Sequence, residues 1–207
     1  MPTTASEFAG GRDGRWLRTS SKMSSTPWTQ LGIPDRFAYP ELYFNPPTSR
    51  LVVSVADKII EFHRRLFVRE ISESVYVPLS NYPDDVTVSS VAVSATSPVA
   101  YFVSYRWSAH KGSEGECWSS DWHAITRCDL SSLTLTECAA CGELVFDAPF
   151  SSGWLCDVLQ VEGSGDTVVV RGCALEPGKN SAQYFIGRFH SSTREISLIT
   201  LLPDPFM

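Results

Sequence analysis

The chain has 207 residues, with 17 Lys or Arg against 23 Asp or Glu, a net charge of −6, and 43% hydrophobic and 12% aromatic residues. That length is the material of one domain, enough to bury a proper core. No apolar run approaches the roughly twenty residues of a spanning helix, which excludes an integral helical membrane protein, and an acidic chain without a basic stripe excludes nucleic acid and anionic membrane as partners.

Residues 1–26 are a different material from the rest: nine are Ser or Thr, Gly10 and Gly11 are adjacent, and no hydrophobic period runs through them. Arg12, Arg15, Arg18 and Lys22 outnumber Glu7 and Asp13 here, so the remaining chain carries −8. Such a stretch is expected to be a disordered tail. Its Ser- and Arg-rich composition also fits an organelle transit peptide, but it lacks that peptide's apolar face. Met23 offers an alternative start.

Residues 27–207 read as a single all-β domain in which one pattern recurs three times, over 41–79, 86–147 and 154–202. In the first copy, 41–44 is a strand before the turn Asn45-Pro46-Pro47. The valine run 51–56 follows, then strands over 58–62 and 67–71 joined by a turn at His63, Arg64 and Arg65. The second copy has strands over 88–95, 99–107, 122–128 and 133–138. The third has them over 155–162, 167–173, 183–189 and 195–201. Each run is short, rich in Val, Ile, Phe and Thr, and bounded by Ser, Asp, Gly or Pro, as strands are. Superposition makes Val55, Val103 and Val170 equivalent, and Phe62, Cys128 and Phe189 equivalent one strand later. Residues 57–70 also place Ile59, Phe62 and Leu66 at helical spacing, a competing amphipathic helix. The valine run before them and the match to the other copies favour strands.

Four strands joined by hairpins make one antiparallel blade, and blades of this size must stack on neighbours to bury their faces. The first copy, with its VVSVADKIIEF run, resembles a blade of the NHL type of β-propeller, in which a strand ending in Ala-Asp leads straight to a strand ending in Phe. The other copies lack the paired glycine of kelch blades and the Trp-Asp ending of other propellers. The resemblance implies a β-propeller-like stack of four-stranded blades and a scaffold for binding or catalysis, with no particular activity attached. Three blades do not close a ring. Either the segment before Glu41 (Trp28, Leu31, Ile33, Phe37, Tyr39) adds to another blade, or self-association completes one, or the chain belongs to a longer design. A β-sandwich of the same hairpins is the structural rival.

The candidates for chemistry are few. Cys138, Cys141 and Gly142 form a C-x-x-C-G, with Cys117, His123 and Cys128 upstream, but a structural zinc normally takes a second close pair and none is present. Cys128, Cys156 and Cys173 fall on expected strands, where thiols act as small apolar groups. Reduced thiols and the absence of a secretory signal point to the cytoplasm. Gly163-Ser164-Gly165 is a hairpin turn and not a nucleophile elbow. His63 and His190 are expected at equivalent exposed turns. No cofactor motif occurs.

Loop lengths are more telling. Val55 to Phe62 spans seven residues, whereas Val103 to Cys128 spans 25 and Val170 to Phe189 spans 19. Insertions between the same strands of successive blades emerge on one face, commonly the binding face. The longer insertion, 108–121, with His110, Lys111, Glu114, Glu116, Trp118 and Asp121, opens onto Trp122 and His123. The leading expectation is a non-catalytic module holding a protein partner there. The rival is a carbohydrate-binding or hydrolytic propeller in which a tryptophan stacks on a glycan and Glu116 and Asp121 accept hydrogen bonds. In the plainer reading, Trp107 and Trp122 pack in the core and the rest is solvated loop.

Overall fold

The computed structural model describes residues 9–10, 15–17, 32–58, 63–79, 86–112, 115–140, 142–147, 150–178 and 182–203. At 9–10, 15–17 and 107–122 it is the backbone that is described. The described residues are all-β: strands in three sheets, with a single 3-10 turn at Pro46–Thr48 and no α-helix. The first sheet has the order β1-β2-β3-β4-β5-β6 and the second β10-β9-β8-β7. The third runs β11-β15-β14-β13-β12. Every pairing is antiparallel except that of β11 with β15.

In the first sheet the strands are β1 (Ala9–Gly10), β2 (Arg15–Leu17), β3 (Phe37–Asn45), β4 (Arg50–Asp57), β5 (Arg64–Glu70) and β6 (Val77–Pro78). The second has β7 (Val86–Val93), β8 (Val99–Gly112), β9 (Gly115–Asp129) and β10 (Thr134–Ala140). The third has β11 (Val145–Phe146), β12 (Ser152–Glu162), β13 (Thr167–Leu175), β14 (Ala182–His190) and β15 (Glu195–Leu201). β1 and β2 fall within 1–26, the rest of which lies outside the described residues, as do Trp28 and Leu31. β11 falls in the second expected repeat but extends the third sheet.

Burial explains the valine runs. The second sheet is the middle layer, and alternate residues of β8 serve opposite neighbours. Val99, Tyr101 and Val103 pack with Val168, Val170, Phe185 and Phe189 of the third sheet. Ala100 and Phe102 pack with Val52, Leu66 and Val68 of the first. A strand covered on both faces needs a continuous apolar run, which residues 99–103 supply. β4 is covered on both faces too, because Ile33, Phe37 and Tyr76 close over Val53, Val55 and Phe67. β13 instead alternates over 168–171, with Val168 and Val170 buried and Arg171 exposed, because no other sheet packs on its far face there among the described residues.

The first sheet departs from the sequence reading. Arg64 and Arg65, expected in a turn, begin β5 and pair with Ala56 and Val55 of β4. The segment 67–71, expected as the fourth strand of the copy, therefore falls mostly in β5, the third after β3 and β4, and the short β6 takes fourth place. Lys58 lies in a bend, and residues 59–62, including Phe62, lie outside the described residues. The β4 to β5 connection closes where Asp57 N donates to His63 O at 2.7 Å. Because 64–70 is strand, the helical reading fails there. The physical reason is that the arginines are fasteners and not solvated surface: Arg64 N donates to Thr87 Oγ1 at 2.6 Å and Arg65 Nη1 to Val86 O at 2.5 Å. His63 consequently sits in the β4 to β5 connection, whereas His190 ends β14, so their positions are not equivalent.

Candidate functional site

The stretch expected as an insertion loop is regular strand. Among the described residues β7 pairs as far as Val86↔Arg106 and β10 as far as Ala140↔Ala124, whereas β8 and β9 keep pairing to Gly112↔Gly115. A two-stranded ribbon therefore runs on past the four-stranded sheet. Six residues of β8, 107–112, carry it for about 20 Å at the usual strand rise. Within it His110 pairs with Cys117, Lys111 with Glu116 and Ala109 with Trp118. Asp121 is skipped between Arg106↔Trp122 and Trp107↔Ser120, which makes it the bulged residue at the ribbon's base. Glu114 lies outside the described residues. Among the described residues no strand pairs with the outer edges of this ribbon, so two rows of backbone N–H and C=O groups are left open.

Glu116 and Asp121 lie five residues apart on β9, about 17 Å of backbone rise.

His123 belongs to the seam between the second and third sheets. Its ring meets Tyr105 edge-on, at 4.6 Å between centroids and 87° between planes. Burial holds its pKa below the ordinary value, outweighing a hydrogen bond to the backbone of Leu155. A neutral, half-buried imidazole is the result.

A second feature was not anticipated. Where β3, β7 and β12 converge, a cleft of about 280 Å³ opens, lined among others by Glu41, Tyr43, Ser89, Ser90, Asp157 and Leu159. Bulges interrupt all three strands there, between Ala38 and Glu41, Val88 and Val91, and twice in 155–160. Bulges leave backbone groups without ladder partners, and the serines supply them. Ser89 Oγ donates to Cys156 O at 2.9 Å, and Val158 N donates to Ser90 Oγ at 2.8 Å. The carboxylates are also engaged. Glu41 accepts from Tyr43 Oη at 2.8 Å and lies 3.4 Å from Arg64, and Asp157 pairs with Arg171. The lining thus offers hydrogen bonds and balanced charge but no serine poised beside a base. Its one signal in the sequence is Ser89-Ser90, a polar interruption of an otherwise apolar strand.

The remaining candidates resolve simply. Gly163-Ser164-Gly165 is the β12 to β13 turn, with positive φ at both glycines, and Ser164 Oγ donates to Asp166 at 3.0 Å. Cys128, Cys156 and Cys173 lie on β9, β12 and β13. Burial pushes the Cys128 thiol up to about 12 and raises that of Cys138. Cys141 lies outside the described residues, among which no group of three potential metal ligands occurs. No helix there is long and apolar enough to cross a membrane. No protein-family model matches the chain, and no curated protein matches it.

Proposed function

We propose that the three sheets are blades of an incomplete β-propeller and that the chain is a non-catalytic module that binds a protein partner by strand addition to the β8–β9 ribbon. The successive meanders β3–β6, β7–β10 and β12–β15, packed on one another with β3, β7 and β12 gathered around one cleft, support the propeller reading. The observation that carries the function is the ribbon, whose outer edges no strand pairs with among the described residues. An extended segment of another protein gains main-chain hydrogen bonds along such an edge and specificity from alternate side chains. The engaged serines of the cleft favour binding over hydrolysis.

The test replaces residues 107–121 by Asn-Gly, so that Arg106 and Trp122, already register partners, flank a two-residue hairpin turn. The four-stranded sheet survives this change. Proteins captured by the full chain are identified, and the affinity of one of them for both forms is measured by calorimetry. Binding lost with the ribbon, at unchanged thermal stability, is the expected result. Equal affinity of the two forms would move the site elsewhere.

A further inference from the structure

We propose that a groove in the seam between the second and third sheets binds a small organic acid, whose carboxylate is held by the Arg127 guanidinium. The strand register places that arginine. On β9 it pairs with Tyr101 of β8 on one side and with Thr136 of β10 on the other. Ile125, two residues earlier and so on the same face of the strand, packs with the third sheet, and Arg127 faces that sheet with it. Opposite stand Asp166 in the β12 to β13 turn and Ser192 and Arg194 in the β14 to β15 turn. The groove they line, with Thr136 and Glu137, has a volume of about 430 Å³, within the range of small-molecule sites.

The groove carries donors that the fold itself does not use. Among the described residues the Arg127 guanidinium makes no hydrogen bond or ion pair, and its Nε is closed off from solvent. A charged donor held in that way costs free energy unless an acceptor meets it. The hydroxyls of Thr136 and Ser192 also make no hydrogen bond with a described residue. The acids nearby are committed elsewhere or face water. Asp129 accepts from Ser131 N at 2.8 Å and Ser132 N at 3.2 Å, and Asp166 accepts from Ser164 Oγ at 3.0 Å. Glu143 takes up Arg194 at 3.2 Å, and Glu137 is exposed. Arg127 is thus the unsatisfied cation of the groove, with two hydroxyl donors beside it.

The walls are fixed before any ligand arrives. Ser191 N and Ser191 Oγ both donate to Asp166 O at 3.0 Å, which ties the two turns to each other. Tyr101 Oη donates to Gly165 O at 2.8 Å, which ties them to the second sheet beside Arg127. A guanidinium set among fixed hydroxyls matches a planar acceptor with two oxygens, because its N–H groups form a rigid fork. Charge selects carboxylate over phosphate. The lining sets Arg127 and Arg194 against Glu137 and Asp166, so one negative charge is accommodated, whereas a dianion sets its second charge against both acids.

The isotopically labelled full chain is titrated with sodium acetate at neutral pH, with sodium chloride exchanged to hold the ionic strength constant. The Arg127 Nε–H signal, identified by its loss in Arg127→Gln, is followed by NMR together with the backbone amides of Thr136 and Ser192. A saturable shift of all three is expected, and inorganic phosphate should need a higher concentration to reach the same point. Read from the two amides, Arg127→Gln should weaken acetate binding by about tenfold or more, and Thr136→Val, which keeps the arginine and the side-chain shape, by about threefold. Circular dichroism confirms that both variants are folded. A shift that never saturates, tighter binding of phosphate than of acetate, or an unchanged affinity in either variant would overturn the proposal.

Discussion

The two seams that join the three sheets are built from different chemistry. Between the first and second, long polar side chains reach across to backbone carbonyls. Asn45 Nδ2 donates to Ser94 O and Ser97 O, both at 2.8 Å, Arg50 donates to Leu130 O, and Arg65 donates to Val86 O. Between the second and third, hydroxyls take that part: Tyr101 Oη donates to Gly165 O at 2.8 Å, Tyr105 Oη to Cys156 O at 2.5 Å and Thr96 Oγ1 to Gly163 O at 2.9 Å. A tyrosine buries its ring and donates from its tip, so its hydrogen bond comes with apolar contact. A guanidinium or amide donates several bonds at once and adds less apolar area. The second seam accordingly rests on volume, with the larger apolar cluster, and the first on a few anchors.

Removing volume from the second seam should have the largest effect. Phe189 is fully buried there, and Phe189→Ala should cost about 3–5 kcal/mol in urea unfolding through lost transfer energy and the cavity left behind. A loss below about 1 kcal/mol would mean that the seam collapses around the gap and that volume does not hold it. At the first seam, Asn45→Ala removes a fully buried amide whose Oδ1 also accepts from Thr48 N and Oγ1. A penalty of about 1–3 kcal/mol is expected, because buried carbonyls lose their donors. Asn45→Asp keeps the acceptor and discards the donor, and should restore little of it.

Smaller effects sharpen the contrast. Tyr105→Phe retains the ring and deletes one bond across the second seam, so about 1 kcal/mol should be lost. His123 adds a pH test. Burial lowers its folded pKa below the ordinary 6.5, so its contribution is complete above that pH and is lost as pH falls from 6.5 towards the folded value. Unfolding free energy measured between pH 7 and 5 should fall less steeply in His123→Phe than in the parent. An unchanged slope would assign the acid sensitivity to other groups.

Legibility in the sequence followed burial. The strands of the third sheet were expected at 155–162, 167–173, 183–189 and 195–201, and each observed strand overlaps its expected range, differing at the ends by three residues at most. In β14 the buried residues are Phe185, Gly187 and Phe189, a period of two. The ribbon's Ser, Gly, His and Lys residues carry no apolar alternation in sequence and read as loop. Arg64 and Arg65 read as a turn because sequence shows their charge but not the carbonyl and hydroxyl partners that 54 and 86–87 provide. The cleft draws on strands more than a hundred residues apart in sequence, from Glu41 to Leu159, which no local pattern can join.

The two-sided burial of β8 has a consequence for synthesis. Each sheet is mostly a local meander, so each can form soon after its own residues leave the ribosome. The second sheet then presents Val99, Tyr101 and Val103 to water until residues 152–201 are made. A nascent chain halted near residue 147 should therefore be sticky, which dye binding and chaperone capture of stalled chains would report. Translation speed across the third sheet, more than the stability of the finished protein, would then govern yield.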